Sequence, residues 1–218
     1  MARSHVLVFD MDGVLVDVSD SYRETIIRTV EHFTGKSVTR ELIQDYKNQG
    51  GWNNDWALSQ KMCLDLGCEI EYPAIVGHFN SIFLDEGLIH RERWLPQDGM
   101  LERLSEKYEL AIFTGRNVRE AEITLGRQKV RERFLLMTSD DVEREKPAPD
   151  GLLRIAGMHP GKTLTYVGDT VDDARCAKAA KVPFIGIAAP GCVRREEILD
   201  LFRMEGAIQV LGDVNEIV

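Results

Sequence analysis

Two aspartates follow directly on the first apolar stretch of the chain. Residues 5–9 are largely apolar, and Asp10, Met11, Asp12 and Gly13 come next. Such a run, stopped by an acid and then a glycine, predicts a buried strand that ends in a tight turn. Side chains two apart on an extended chain point to the same side, where like charges need a cation or a shared proton. The pair is therefore a candidate for metal binding or acid–base chemistry, and a plain Asp-Gly turn is the alternative.

Three later stretches carry residues that suit an anion or a metal ion. Residues 114–116, Thr-Gly-Arg, offer a hydroxyl, a flexible turn and backbone amides. Lys146 lies in a segment that is restricted by Pro147 and Pro149. Residues 168–173 include a cluster of acids. Taken singly, these stretches are also explained by a common strand exit, a solvated lysine and a helix cap.

The elements that must position these residues alternate between helix and strand beyond residue 99. Strands are predicted at 110–113, 134–137, 164–167, 184–187 and 208–211, and helices at 100–107, 117–128, 149–158, 171–181 and 194–204. This alternation predicts an α/β fold with a parallel sheet that is covered on both faces. Ligands bind such sheets beyond the carboxyl ends of the strands, where the strand order reverses. We therefore expect one site at that edge.

The segment between residues 18 and 93 has helical patterns only. Helices are predicted at 22–33, 40–47, 56–66 and 72–84, and no strand pattern is convincing there. The sequence thus predicts a catalytic core of residues 1–17 and 94–218, with a helical domain of residues 18–93 inserted after the first strand. Hinges are expected at the two crossing points, near residues 16–18 and 91–93.

Composition excludes several classes of protein. The 218 residues, 44% of them hydrophobic, suffice for a core domain with an insertion. A net charge of −9 argues against a nucleic-acid partner but allows one basic pocket for a small phosphorylated molecule. We find no apolar run long enough to cross a membrane and no leader, so we expect a cytoplasmic protein. The four cysteines and five histidines lack metal-ligand spacing, and the cysteines are expected to be reduced.

The four stretches that contain the candidate site residues together resemble the motifs of the haloacid dehalogenase superfamily. The matching segments are Asp10-Met11-Asp12-Gly13, Phe113-Thr114-Gly115, Lys146-Pro147-Ala148-Pro149 and Gly168-Asp169-Thr170-Val171-Asp172-Asp173. The chain is similar to the phosphatases that carry a helical cap after the first motif, in the branch of phosphoglycolate phosphatase and β-phosphoglucomutase. The resemblance implies a Rossmann-like α/β core with a helical cap domain that selects the substrate.

The resemblance also implies a role for each acid. Asp10 would be the nucleophile that forms an aspartyl-phosphate, and Asp12 the acid that protonates the leaving oxygen and then activates water. Asp10 and Asp169, with the backbone carbonyl of Asp12, would bind Mg²⁺. Asp173 would steer Lys146 or a metal-bound water.

The phosphate itself would be held by Thr114 and the amides around Gly115, and Lys146 would offset its charge. Arg116 stands where the family more often has Asn or Ser. Two roles are open for Arg116: a contact with the phosphate or a carboxylate of the substrate, or a solvated charge on the next helix. We favour the solvated charge. Asp172 is expected to face away from the site.

The inserted helices include a glycine-hinged polar loop at residues 49–56. In capped relatives the corresponding loop reaches over the active site, so Trp52, Asn53 and Asn54 are predicted substrate contacts. The alternative for Asn54 is that it only caps the next helix. Trp56 is expected to pack inside the cap.

The resulting hypothesis is a Mg²⁺-dependent phosphatase that hydrolyses a small phosphorylated metabolite. The presence of Asp12 favours a phosphatase over a dehalogenase or a phosphonoacetaldehyde hydrolase. The family resemblance implies that these two branches lack the second aspartate. A phosphomutase shares every core residue named above and is the second hypothesis; a phosphate-binding regulatory domain without turnover is the third. The sequence leaves open whether the protein is a monomer or a homodimer, and which metabolite it binds.

Overall fold

The computed structural model describes residues 3–217 of the chain. Residues 1, 2 and 218, which the sequence assigns to the core, lie outside the described residues. Within the described range the strands are β1 His5–Phe9, β2 Val16–Asp17, β3 Arg93–Trp94, β4 Glu109–Phe113, β5 Leu135–Met137, β6 Thr163–Gly168, β7 Phe184–Ile187 and β8 Gln209–Leu211. The α-helices are α1 Tyr22–Thr34, α2 Arg40–Gln49, α3 Asp55–Asp65, α4 Tyr72–Asn80, α5 Met100–Lys107, α6 Val118–Gln128, α7 Asp150–Met158, α8 Val171–Ala180 and α9 Arg195–Glu205.

The helices and strands that the sequence predicts are present in these residues. The largest difference concerns α4, which ends at Asn80 and is followed by a π-helical turn, Ser81–Asp85. None of the helices in residues 3–217 is both long and apolar enough to cross a membrane.

Six strands form one parallel sheet in the order β5-β4-β1-β6-β7-β8. The chain places β4 and β5 on one side of β1 and then returns to place β6, β7 and β8 on the other. The strand order therefore reverses at β1, and the carboxyl ends of β1, β4 and β6 lie side by side. The predicted α/β fold with a parallel sheet is confirmed.

The side chains of β1 point alternately to the two faces of the sheet, which explains why helices cover both faces. Leu7 and Phe9 belong to one apolar cluster, which includes residues of α5 and α6, whereas Val6 and Val8 belong to a second cluster with residues of α7, α8 and α9. Because successive side chains of a strand point to opposite faces, a fully apolar strand needs such cover on both sides.

Helices α1–α4 lie between β2 and β3, which form a short antiparallel ribbon. Val16 pairs with Trp94 and Asp17 pairs with Arg93, and the last two side chains also form an ion pair. The sequence did not predict this ribbon, because strands of two residues are too short to show a periodic pattern. We call residues 18–93 the cap and residues 3–17 with 94–217 the core; their behaviour as two domains stays a prediction.

Candidate active site

The predicted site residues follow three adjacent strands of the sheet. Asp10 comes after β1, Thr114 after β4 and Asp169 after β6. The amide of Asp10 donates a hydrogen bond of 2.8 Å to the carbonyl of Val167, which continues the β1–β6 pairing by one residue. The parallel sheet thus brings residues more than 100 positions apart to one edge.

A buried lysine joins the first motif to the last. The ammonium of Lys146 lies 3.0 Å from Oδ1 of Asp10 and 2.7 Å from Oδ1 of Asp173. Burial alone would lower the pKa of Lys146, but the two carboxylates outweigh it and hold this pKa above its ordinary value. The lysine is therefore charged and fixes the direction of the Asp10 carboxylate.

Asp173 positions Lys146 and uses both of its own oxygens to do so. Its Oδ1 accepts hydrogen bonds from Lys146 and from the hydroxyl of Tyr166, each of 2.7 Å. Its Oδ2 accepts from the hydroxyl and the amide of Thr170, at 2.7 and 3.0 Å, and so completes the capping box of α8, in which Thr170 is the N-cap. Burial would raise the pKa of Asp173, but Lys146 and these donors hold it below the ordinary value. The sequence missed Tyr166, because a tyrosine within an apolar strand looks like a core residue.

The acids at this edge fit a divalent cation. Carboxylate oxygens of Asp10, Asp169 and Asp173 lie within 4.8 Å of one another. Oδ1 of Asp169 is buried and accepts no hydrogen bond from residues 3–217. Burial, reinforced by the neighbouring acids, raises the pKa of Asp10 and of Asp169. Oxygen donors and excess negative charge suit Mg²⁺, and Asp10 and Asp169 suit it better than Asp173, whose oxygens are engaged.

Gly13 allows Asp169 to approach the first motif. Its φ is +71°, and the Asp169 carboxylate packs against its α-carbon so closely that a β-carbon would overlap it. Glycine is required here by both the backbone conformation and the close contact.

Arg116 is buried, and the interpretation of a solvated charge is wrong. Its Nε and Nη2 donate to Oδ1 of Asp12, at 2.8 and 2.5 Å. The same guanidinium lies 2.8 Å from Oε1 of Glu92, at the end of the cap, and donates to the hydroxyl of Thr124 at 2.9 Å. It also lies 4.9 Å from the centre of the Tyr22 ring. The core and the cap together supply enough acceptors and aromatic surface to replace water around this charge.

The second motif lies beneath the cap loop. Thr114 is buried, and its hydroxyl accepts a hydrogen bond of 3.2 Å from the amide of Arg116. The side chain of Asn53 packs so closely over Gly115 that a β-carbon there would overlap it. The Asn53 Nδ2 is buried without an acceptor in the described part of the chain. A donor is thus available beside the predicted phosphate site.

A pocket of about 660 Å³, open to solvent, lies between the core and the cap. It is lined by Asp10, Asp12, Gly115, Arg116, Glu120, Ser139, Glu145, Asp169 and Thr170 of the core and by Tyr22, Arg23, Lys47, Asn53, Asn54, Asp55, Trp56 and Phe79 of the cap. Asn54 both lines the pocket and caps α3, since its Oδ1 accepts from the amides of Trp56 and Ala57. The capping role of Asn54 is thus present, and its role as a substrate contact stays a prediction.

The two tryptophans of the cap loop require a correction. Trp52 lies outside this pocket, packs edge-to-face on Tyr46 at 6.1 Å and lines a separate surface groove. Trp56, which we expected inside the cap, packs on Phe79 and also lines the pocket. Because neighbouring side chains of an extended segment point to opposite sides, turning Asn53 inward turns Trp52 outward. The sequence contains both tryptophans but does not indicate which of them lines the pocket.

The cap loop is also tied to the core by Asp172. The amide of Gly51 donates to both carboxylate oxygens of Asp172, at 2.8 and 2.9 Å. Arg175 donates to the carbonyl of Gln49 at 3.1 Å. Asp172 therefore faces away from the acidic cluster, as expected, and contacts the cap, a role that the sequence did not indicate.

A family model of the haloacid dehalogenase-like hydrolases matches residues 7–187 of the chain. The imidazoleglycerol-phosphate dehydratase of Phytophthora nicotianae is 32% identical over 197 residues, which cover 84% of this chain and 43% of that protein. The phosphoglycolate phosphatase of Escherichia coli (strain K12) is 34% identical over 83 residues, which cover 37% of this chain and 32% of that protein. The chain therefore spans less than half the length of these two curated relatives.

The fold is shared with solved structures. A protein from Thermotoga maritima that is assigned as a β-phosphoglucomutase superposes with a TM-score of 0.68 at 21% identity, covering 98% of this chain and 96% of that one. At this identity the likeness concerns the fold alone.

Proposed function

The chain belongs to the haloacid dehalogenase-like hydrolase family, and from this premise we propose that it is a Mg²⁺-dependent phosphatase of a small phosphorylated metabolite. The observation that carries the proposal is the charged Lys146, in contact with Asp10 and Asp173 beside the free carboxylate oxygen of Asp169. The names of the two curated relatives both refer to small phosphorylated metabolites. This agreement supports the substrate class.

Asp10 is the nucleophile of the proposed reaction. Its carboxylate attacks phosphorus and forms an aspartyl-phosphate, so that one difficult displacement becomes two easier ones. Lys146 holds the carboxylate in one direction and offsets the charge on the phosphoryl group. Thr114, the amides around Gly115 and the free Nδ2 of Asn53 provide donors for phosphate oxygens.

Asp12 is the proton donor and acceptor for the two steps. It protonates the leaving oxygen in the first step and takes a proton from the attacking water in the second. Arg116 holds its Oδ1 through two hydrogen bonds, which leaves the other oxygen to carry the proton. Mg²⁺ bound by Asp10 and Asp169, with the carbonyl of Asp12 as a third ligand, would neutralise charge on the transferring group.

The phosphomutase remains the alternative, because it would use the same core residues. It differs in where the phosphoryl group goes after Asp10: to a second hydroxyl of the substrate rather than to water. Accumulation of a sugar bisphosphate instead of free phosphate would identify it.

The test measures phosphate release from para-nitrophenyl phosphate with and without Mg²⁺. We expect release only with Mg²⁺, and a fall of roughly a thousandfold or more in Asp10→Asn, as loss of a nucleophile causes. Asp200→Asn, which removes an exposed carboxylate on α9, is the matched control and should retain activity. Absence of release by the folded wild-type protein, here and on a panel of phosphorylated metabolites, would refute the phosphatase.

Metal binding has an independent measure. A cation that binds only the folded protein raises its melting temperature. We expect this rise in the wild type and a smaller one in Asp169→Asn. An equal rise in both proteins would exclude Asp169 as a ligand.

A further inference from the structure

The cations in the wall of the pocket are already paired. Lys47 Nζ lies 2.5 Å from Oδ1 of Asp55, and Arg23 lies 3.9 Å from the same oxygen. Arg116 is held between two carboxylates, as described above. Among the described residues, the three cations of this wall are thus paired with three carboxylates, of which Asp12 and Asp55 also line the pocket and Glu92 does not. A carboxylate on the alcohol half of a substrate would have to displace one of these partners.

Apart from Asp10 and Asp169, which are assigned to the metal, Glu120 is the described acid of the wall that has a buried oxygen without a hydrogen-bond partner. It lies in the first turn of α6 and is 3% exposed. Its Oε2 accepts a hydrogen bond of 3.0 Å from the hydroxyl of Tyr22, whereas Oε1 has no hydrogen-bond partner in residues 3–217. A buried acceptor without a donor is unfavourable, because it has lost water and gained nothing in return. A ligand with a donor would complete it.

The surroundings of Glu120 favour a donor that is positively charged. The ring of Tyr22 already lies against the Arg116 guanidinium, and Trp56 and Phe79 add two more aromatic rings to the same pocket. Aromatic faces attract ammonium groups, which are also the strongest partners for a carboxylate. Tyr22, whose hydroxyl donates to Glu120, has its ring 4.9 Å from the Arg116 guanidinium that binds Asp12, so the two carboxyls lie on one side of the pocket. Glu120 is therefore on the side where the leaving group must sit.

We propose that Glu120 recognises the alcohol half of the substrate, and that the preferred substrates are phosphate monoesters of amino alcohols. The ammonium group donates to Oε1 of Glu120 beside the aromatic rings, while the phosphate occupies the site at Gly115 and Lys146. Esters of hydroxy acids are disfavoured, because their carboxylate meets Glu120 and finds only paired cations. This inference rests on the proposed phosphatase activity.

The test compares three esters that share a two-carbon backbone: O-phosphoethanolamine, 2-hydroxyethyl phosphate and 2-phosphoglycolate. They end in an ammonium, a hydroxyl and a carboxylate. For the wild-type protein with Mg²⁺ we expect kcat/KM to fall in that order, by about tenfold or more from the first to the last, as a charge-assisted hydrogen bond provides.

Glu120→Gln removes the charge and keeps the shape of the side chain. We expect it to reduce the ratio of kcat/KM for the ammonium ester to that for the hydroxyl ester by roughly tenfold. The matched control is Glu122→Gln, on the same helix, where the glutamate pairs with Arg131 at 2.7 Å on the exposed surface. This control should keep the wild-type ratio.

Three results would overturn the inference: a wild-type preference for phosphoglycolate, a preference for the hydroxyl ester over the ammonium ester, or an unchanged ratio in Glu120→Gln. If Glu120→Gln does not fold, the wild-type order of the three esters decides alone. Para-nitrophenyl phosphate separates the two proposals. A wild type that cleaves it but ranks the carboxylate ester first refutes only the role of Glu120, whereas one that cleaves nothing refutes both.

Discussion

The guanidinium of Arg116 and the carboxylate of Asp12 form an ion pair of 2.5 Å within the active site, in which the arginine is buried and the aspartate is half-buried. The same arginine lies 2.8 Å from Glu92, which is adjacent to the ribbon that joins cap and core. One residue thus connects the proposed acid–base group to the point where the chain leaves the cap.

Arg116→Met should destabilise the protein and also lower its catalytic rate. The substitution leaves Glu92 buried, and its remaining partners among the described residues are Thr124 at 2.7 Å and Arg127 at 3.4 Å. We expect the free energy of unfolding to fall by about 3 kcal/mol. The substitution should also lower kcat, because Asp12 loses its orientation. Urea denaturation and steady-state kinetics measure the two effects. Adding Glu92→Gln should recover part of the stability, and Arg119→Met, an exposed position on α6, should change neither quantity.

Gly13→Ala should abolish activity, whereas Gly35→Ala should not. Both glycines have a positive φ, +71° and +67°, so alanine should destabilise either site by about 1 kcal/mol. Only Gly13 has a neighbour in the way, the carboxylate of Asp169. Comparing kcat with the free energy of unfolding separates the two effects. Equal activity of the two variants would show that Asp169 adjusts without loss.

Asp172→Ala should loosen the cap loop without removing any residue that contacts the phosphate. The substitution removes both acceptors of the Gly51 amide. We expect faster amide hydrogen exchange in residues 49–54 and a KM that rises several-fold, since the loop must then be ordered by the substrate. Asp140→Ala, which removes a carboxylate that accepts from Val118 on the core, is the comparison. Unchanged exchange at Gly51 would show that other cap contacts suffice.

Glu120 should make the ligand-free protein less stable as the pH rises. Burial raises its pKa from 4.5 to about 7, against the opposing effects of the Tyr22 hydroxyl and Arg116 and with the support of Asp12. The folded protein therefore binds this proton more tightly than the unfolded chain does. The free energy of unfolding should fall between about pH 4.5 and 7, by about 3 kcal/mol relative to Glu120→Gln. Urea denaturation of both proteins from pH 4 to 8, without Mg²⁺, measures this difference, and parallel curves would contradict it.

Local sequence patterns were sufficient for the elements and for much of the site. Short continuous apolar runs predicted the parallel core strands, and apolar residues at helical spacing predicted the helices around them, because burial on both faces of a sheet and on one face of a helix leave these two patterns. The acids at the strand ends could be placed at one edge because parallel strands bring their carboxyl ends together, and the family resemblance added Lys146 from the connection before β6. Asp10, Lys146 and Asp173 are accordingly in contact.

The sequence by itself determined the fold class, the order of the elements and the residues at the carboxyl edge of the sheet. Only the tertiary structure decided that Arg116 is buried against Asp12, that Glu120 lines the pocket and has one buried oxygen without a partner among the described residues, and that Trp56 rather than Trp52 lines it. The physical reason is the same in each case. Periodicity reports which face of an element is buried, whereas the environment of a charged or aromatic side chain at the cap–core boundary depends on residues that are distant in sequence.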